Sequence, residues 1–584
     1  MKKSSILLFA YCAALTTLLS VSSCQNNSQD IIGSDKKKET IHYGGVFRIN
    51  EVSGFKSLFP LNTTDVISYR IFSQIYEGLL KFSPQDLSVT PNIAEKWEVN
   101  ETATSFTFYL RKGVKFHDDP CFKNGKGREV TAYDFKYCFD KICEANPDYN
   151  GYWVFKDKVI GANEYYESTK QNHPLPGGVK GVKVLDDYVI RIDLNYPYAS
   201  FYNVLCTPYC SVFPHEAIDK YGADIRIKAV GTGPFKLATI NEGEVVYLSR
   251  NPNYWKKDSL GNQLPYLDGI KITFINDKQA ELIEFKKKNL DMVYRLPVEM
   301  IDEIMAEMES KDKKLDYDIQ FTPALNVQYY GFLNSSEIFK NKFVRKAFNY
   351  AIDREKIVSY VLKGEGIAAS YGFVPPSFED YDFESIHGYH YEPDKARKLL
   401  IQAGYPNGEG FPEISLNLNN NGGPNSPNIR VAEIVQKMLS ENLNIKVALN
   451  IMPFPQHLNL LESGNALFWR QSWIADYPDP ENFLNLFYSH NLPANPNDKS
   501  YINTVRYKSM VFDSLFSIAL KENNRPKRFE LLKQADQIAL EDAAYMPLYY
   551  DENCRLIRLN IRNFPSNAME YRDFSIVYFS PDSL

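Results

Sequence analysis

Beyond its first two dozen residues this 584-residue chain contains no long apolar run, so no later segment is suited to cross a bilayer as a helix. It has no GxSxG elbow, no HExxH pair and no GxxxxGKS/T loop, and thus gives no sign of an α/β-hydrolase, a zincin or a P-loop NTPase. CxxC spacing is also missing. Cys206 and Cys210 sit four apart and Cys138 and Cys143 five apart, with no matching pair for zinc. Of the 8 histidines only His387 and His390 are close, and an i, i+3 pair without neighbouring cysteines or paired carboxylates reads as surface. His117-Asp118-Asp119, in a Pro/Gly-rich loop, fixes too few oxygens for a hard cation and is expected to be solvated. No metal or other cofactor is expected. The formal charge of −6 offers no electrostatic footprint for nucleic acid or an anionic membrane.

What is present begins with an export signal. Lys2 and Lys3 precede an apolar run from Ile6 to Leu19 that is too short to span a bilayer. Val21-Ser22-Ser23-Cys24 resembles the bacterial lipobox, which implies removal of residues 1–23 and diacylation of Cys24. Several acyl chains on one residue give stable anchoring. The mature chain would hold 561 residues with a formal charge of −8, enough for more than one domain. Residues 24–42 are polar and charged and read as a tether. Cys121, Cys138, Cys143, Cys206, Cys210 and Cys554 follow in a compartment that permits disulfides, with connectivity open.

Strand-like and helix-like patterns then alternate without an internal repeat, so a mixed α/β chain is expected. Residues 105–111 alternate Phe106, Phe108 and Leu110 with polar neighbours, a half-buried strand. Residues 235–240 and 244–249 flank Asn241-Glu242-Gly243 as a hairpin. Val344, Ala347, Phe348 and Ala351 form the apolar stripe of one helix, and Asp353 caps another that ends at Gly364. Pro393 opens a third helix, striped by Ala396, Leu399, Leu400 and Ala403 and closed by Gly404.

A series of short motifs carries more. Tyr76-Glu77-Gly78-Leu79-Leu80 is followed by Asn92-Ile93-Ala94-Glu95-Lys96-Trp97, Gly231-Thr232-Gly233-Pro234-Phe235 and Arg250-Asn251-Pro252-Asn253-Tyr254-Trp255. Val344-Arg345-Lys346-Ala347, Ala351-Ile352-Asp353-Arg354, Trp473-Ile474-Ala475-Asp476-Tyr477-Pro478-Asp479-Pro480 and Ala544-Tyr545-Met546-Pro547-Leu548-Tyr549-Tyr550 come later. In this order, over residues 43–582, the chain resembles the family 5 extracellular solute-binding proteins, the oligopeptide- and dipeptide-binding group that serves ABC importers. The resemblance implies a two-lobed, hinge-connected periplasmic-binding-protein fold of type II, in the large class with an extra domain. Lobe 1 would comprise 43–76, 185–325 and 554–584, the extra domain 77–184, and lobe 2 326–553. It further implies a monomeric, lipid-anchored, periplasmic receptor that is not an enzyme, captures short peptides by hinge closure and delivers them to permease subunits. Relatives that bind nickel chelates, haem or oligosaccharides leave another cargo open, and a cleft with paired carboxylates would suit an extracytoplasmic hydrolase.

Physical chemistry narrows the expected site. A receptor for many peptides must pair the backbone groups common to all of them and give a buried ammonium an anion. The family pattern Trp-x-x-Asp maps onto Trp473 and Asp476, so the resemblance implies that Asp476 meets the ligand amino terminus. Alternatively Asp476 only caps or turns the chain ahead of Pro478. Arg470 is expected to reach a ligand carboxylate or to form a surface ion pair, and Trp473 to cover the ligand or join the core. Ile474, Tyr477, Val66 with the preceding Thr64, Tyr149 and Tyr152 complete the expected lining. Two departures stand out. Ser57-Leu58-Phe59-Pro60 replaces the Ser-Leu-Asp-Pro of many relatives, and the Asn/Gly-rich stretch 417–423 lacks the basic carboxylate partners that some relatives carry.

Overall fold

The computed structural model describes residues 41–581 apart from 311–313, 379, 421–422 and 424. The export signal, Cys24 and most of the tether lie outside the described residues.

The first sheet joins distant parts of the chain. Val46–Asn50 runs parallel to Gly269–Thr273, and the antiparallel hairpin Phe235–Asn241 and Val245–Arg250 completes its four strands. Gly243 takes φ 79° in the hairpin turn, which a side chain would strain. Between these strands in sequence, Ala94–Val99, Ser105–Leu110, Val189–Asp193 and Val182–Asp186 form a separate antiparallel sheet. Phe106, Phe108 and Leu110 are its buried face, as their alternation requires. The helix Ala132–Ile142 packs on this sheet through Phe135, Cys138, Phe139 and Ile142, and a Thr131/Asp134 capping box fixes its start.

A mixed sheet of seven described strands dominates the second half, in the order Met292–Tyr294, Tyr545–Arg558, Tyr317–Phe332, Phe468–Ile474, Ile414–Asn419 and Val447–Met452, with Ile367–Ala368 pairing beside Tyr545–Arg558. The two long strands, Tyr317–Phe332 and Tyr545–Arg558, pair antiparallel with register shifts between Pro323 and Val327 and between Gln328 and Tyr329. Bulges of this kind bend a strand and raise its twist.

The helix Lys342–Tyr350 buries Val344, Ala347 and Phe348 with Ala351 just beyond, and the Asn341 side chain caps it. Asp353 accepts from the Lys356 amide at 3.0 Å. The helix it starts widens over Ile357–Val361 and stops at Gly364, where φ is 87°. One expectation needs correction. His117 is buried rather than solvated, because its Nε2 meets the Gly233 carbonyl at 2.9 Å and its own amide donates to Gly231. The six cysteines are all free thiols, and Cys138 is held by the Phe213 backbone instead.

Three of the sequence motifs converge on one buried carboxylate. Glu77 accepts from Thr232 Oγ1 at 3.0 Å, Tyr254 Oη at 2.9 Å and Trp255 Nε1 at 3.0 Å. Gly231 and Gly233 are needed beside it, since a Cβ would lie 2.1 Å from the Ile75 carbonyl oxygen at Gly231 and 2.7 Å at Gly233. A similar constraint sits in the large sheet, where Gly331 pairs with Trp469 and a Cβ there would fall 2.4 Å from Cε2 of the fully buried indole. Gly331→Ala should therefore lower unfolding stability by about 1–3 kcal/mol, read from urea midpoints. An unchanged midpoint would show that the indole moves freely.

Candidate functional site

The edge of the strand Phe468–Ile474 borders two adjoining cavities of about 140 and 180 Å³. Val66, Phe454, Arg470, Ser472 and Ile474 line both, so the two form one cleft. One wall comes from residues 63–69, 208–209 and 569–571, the other from 454–476 and 501–504. Pairing of Phe468–Ile474 with Tyr317–Phe332 holds the strand in register, and the Ala475 amide donates to the Leu325 carbonyl at 2.9 Å, which fixes the chain just before Asp476.

Asp476 is half-buried in the first cavity and has little to hold its charge. The Asn482 amide donates to its Oδ2 at 3.3 Å, and among the described residues no ion pair forms. Desolvation outweighs that hydrogen bond and pushes the carboxyl up to about 6. Asn482 Oδ1 accepts from both the Asp476 amide at 3.0 Å and Trp473 Nε1 at 2.9 Å, so one buried side chain orients the aspartate and the indole together. The following helix, Pro480–Leu484, is capped by Asp479, whose Oδ1 accepts from the Glu481 amide at 2.9 Å. Asp479 also binds Arg528 through both carboxylate oxygens, at 2.8 and 2.7 Å. The local turn thus uses Asp479, and the Asp476 carboxylate is left to the cavity.

Aromatic rings surround it. Tyr69, Tyr209, Tyr501 and Tyr571 line the same cavity as Trp473, and burial keeps the four phenols neutral by pushing their pKa values up. Tyr209 Oη meets the Thr63 carbonyl at 2.9 Å and Tyr501 Oη at 3.3 Å, bridging the two walls. Tyr198 Oη donates to Glu481 at 2.7 Å and Arg528 donates to Ser200 Oγ at 2.9 Å, adding further contacts between segments distant in sequence.

The second cavity is cationic. Arg70, Lys278, Arg295 and Arg470 line it, and three of them are paired: Arg70 with Glu51, Lys278 with Glu281 and Arg295 with Asp551. Among the described residues Arg470 has only neutral acceptors, Asn419 Oδ1 at 3.2 Å and Gln328 Oε1, and burial lowers its pKa. This buried guanidinium is not a surface ion pair. Asn419 belongs to the Asn-rich stretch noted in the sequence, so a neutral amide from that stretch supports Arg470.

The structure brings Asp476, Trp473, Arg470, Ile474 and Val66 to this cleft, together with Thr64. Tyr477, Tyr149 and Tyr152 lie outside its lining. Tyr477, in the bend that follows the strand, is fully buried. Tyr149 packs 6.1 Å from Phe59, and Tyr152 stacks 4.0 Å from Tyr166 while donating to Asn163. Phe59 is itself core, 4.8 Å from Phe213, so the lining of this wall starts at Thr63. Asn482, Tyr209 and Tyr501 are contributors that no motif announces. Asn482 had one available signal, its position six residues after Asp476 on the helix begun by Pro480.

The profile of the bacterial extracellular solute-binding proteins, family 5, matches residues 88–494. The chain is 29% identical over 519 residues to the periplasmic oligopeptide-binding protein OppA of Salmonella typhimurium, covering 87% of this chain and 88% of that one. It is 28% identical over 517 residues to heme-binding protein A of Haemophilus influenzae, covering 87% of each. Among solved structures, the periplasmic binding protein DppA of Helicobacter pylori in complex with the peptide STSA superposes with a TM-score of 0.78 at 24% identity, covering 92% of this chain and 99% of that one. The fold is thus the two-lobed, mixed α/β fold of periplasmic binding proteins, and the chain belongs to the bacterial extracellular solute-binding proteins of family 5.

Proposed function

We propose that this protein is the peptide receptor of an ABC importer, that it captures short peptides in the cleft beside the strand Phe468–Ile474, and that it does no covalent chemistry. The observation that carries the reading is Asp476, a half-buried carboxylate without an ion pair that faces an aromatic-lined cavity. A peptide's ammonium supplies the missing cation, and its carboxylate has the buried, unpaired Arg470 further along the same strand edge. Backbone groups between the two ends pair as an added strand would, independent of sequence.

The division into lobe 1 at 43–76, 185–325 and 554–584, an extra domain at 77–184 and lobe 2 at 326–553 fits this reading. In it the hinge lies at the register shifts of the two long strands, and Tyr209–Tyr501, Tyr198–Glu481 and Arg528–Ser200 are contacts of the closed state. Ligand touching both walls shifts the population toward closure, which the permease recognises. A signal peptide removed before Cys24, lipid on Cys24 and a monomeric, periplasmic receptor complete the proposal. Relatedness to a haem-binding protein raises a second cargo. Haem presents propionates, which the anionic first cavity would repel, so the carboxylate at 476 favours an amine.

Asp476→Asn keeps the shape and removes the charge. Peptide affinity in that variant should fall well over ten-fold, as breaking a buried charge pair costs about 3–5 kcal/mol, and amino-terminal acetylation of the peptide should weaken binding to the native protein as much. An unchanged dissociation constant by calorimetry in either case would remove Asp476 from the site. Because the folded-state pKa is raised above the unfolded value, ionised Asp476 destabilises the ligand-free protein at neutral pH, and that penalty begins to ease as pH falls below about 6 and is gone only below the ordinary aspartate value of 3.8. Ligand-free Asp476→Asn should accordingly melt higher than the native protein at pH 7, whereas a purely structural aspartate predicts a lower melting point. Binding needs the ionised carboxylate and the charged ammonium, so peptide affinity should drop about tenfold per pH unit below pH 6, peak near pH 7 and fall again as the peptide amine loses its proton above about pH 8. A profile flat down to pH 5 would contradict the pairing.

A further inference from the structure

The first cavity holds a second acid that the reading above does not use. Glu462 ends the helix Phe454–Glu462, and Phe454, Leu458, Leu461 and Glu462, spaced at i, i+4, i+7 and i+8, give that helix its cavity-facing stripe. The residue is 5% exposed. Among the described residues nothing donates to its carboxylate, and Oε1 is enclosed without a partner. Only its backbone carbonyl is satisfied, by the Ser500 amide at 2.8 Å and Arg506 at 3.2 Å.

A buried acid at a helix carboxyl terminus breaks two rules at once. It faces the negative end of the helix dipole, and it is desolvated without a donor. Lys56 and Lys499 raise the local potential, but among the described residues no cation forms an ion pair with the Glu462 carboxylate: Arg506 is spent on its backbone carbonyl, and Lys56 donates to Thr64 Oγ1 at 3.2 Å. Tyr209 and Tyr501 face it as neutral phenols, Asp476 and Asp65 are the other carboxylates of the cavity, and Arg470 stands where the second cavity begins. Locally unfavourable choices of this kind cluster where a ligand completes them.

Resting on the peptide reading, we propose that Glu462 reads a second positive charge, so that the cleft selects peptides with lysine or arginine near the amino terminus. The methylenes of such a side chain pack on Leu458 and Leu461, and its charged end meets the carboxylate.

The test is calorimetry of the purified protein with alanine tetrapeptides carrying lysine at position one, two or three, each matched by the uncharged norleucine peptide. At one position lysine should bind about ten-fold or more tightly than norleucine. In Glu462→Gln that ratio should collapse while the norleucine peptide keeps its affinity. Equal binding of lysine and norleucine peptides at every position of the native protein overturns the inference, and so does a lysine preference that survives in Glu462→Gln. The native comparison decides without the variant, should the variant fold poorly. Failure of every peptide to bind overturns the peptide reading instead, and this inference with it.

Discussion

A carboxylate taken out of water without a cation beside it is unstable, and the segment around Asp476 is arranged so that no side chain among the described residues supplies that cation. Asn482 is neutral and holds both the aspartate and Trp473. Arg528 is close in the fold but belongs to Asp479 and Glu481. The tyrosines around the cavity stay protonated because burial raises them. A guest that brings a positive end therefore supplies the cation that Asp476 lacks among the described residues, and the same shortfall recurs at Glu462 in the same cavity. Further along the strand the sign reverses at Arg470, whose guanidinium rests on two amides. Opposite unmet charges at two points of one strand edge suit a zwitterion laid along it.

The scaffold that holds these charges is rigid for a different reason. Glu77 is a buried carboxylate as well, but three donors from Thr232, Tyr254 and Trp255 satisfy it, so it ties motifs far apart in sequence into one corner. The contrast between Glu77 and Asp476 separates a structural acid from a receptive one. Hydrogen-bond supply distinguishes them, because both are desolvated.

Local patterns made much of the fold legible. The alternation at 105–111, the glycine turn at 243 and the helical stripes beginning at Val344 and Ala396 each state a period or a backbone need that packing then obeys. In the site, Asp476, Trp473 and Arg470 could be named from a short motif because they share one strand and the turn after it. Other features depended on contacts between distant segments. Nothing local shows that His117 is buried under Gly233, that Tyr149 packs on Phe59 and Tyr152 on Tyr166, or that Tyr209 and Tyr501 meet across the cleft. The roles of Asp476 and Asp479 are likewise separated only when Arg528, 49 residues on, is seen bound to the latter.

The most direct measurement is the titration of the Asp476 carboxyl by carbon-detected NMR, without ligand and with a saturating tetrapeptide. An ammonium docked on that side chain predicts a ligand-free midpoint near 6 that falls below about 4 in the complex. A midpoint that the peptide leaves unmoved would contradict the pairing on which the receptor function rests.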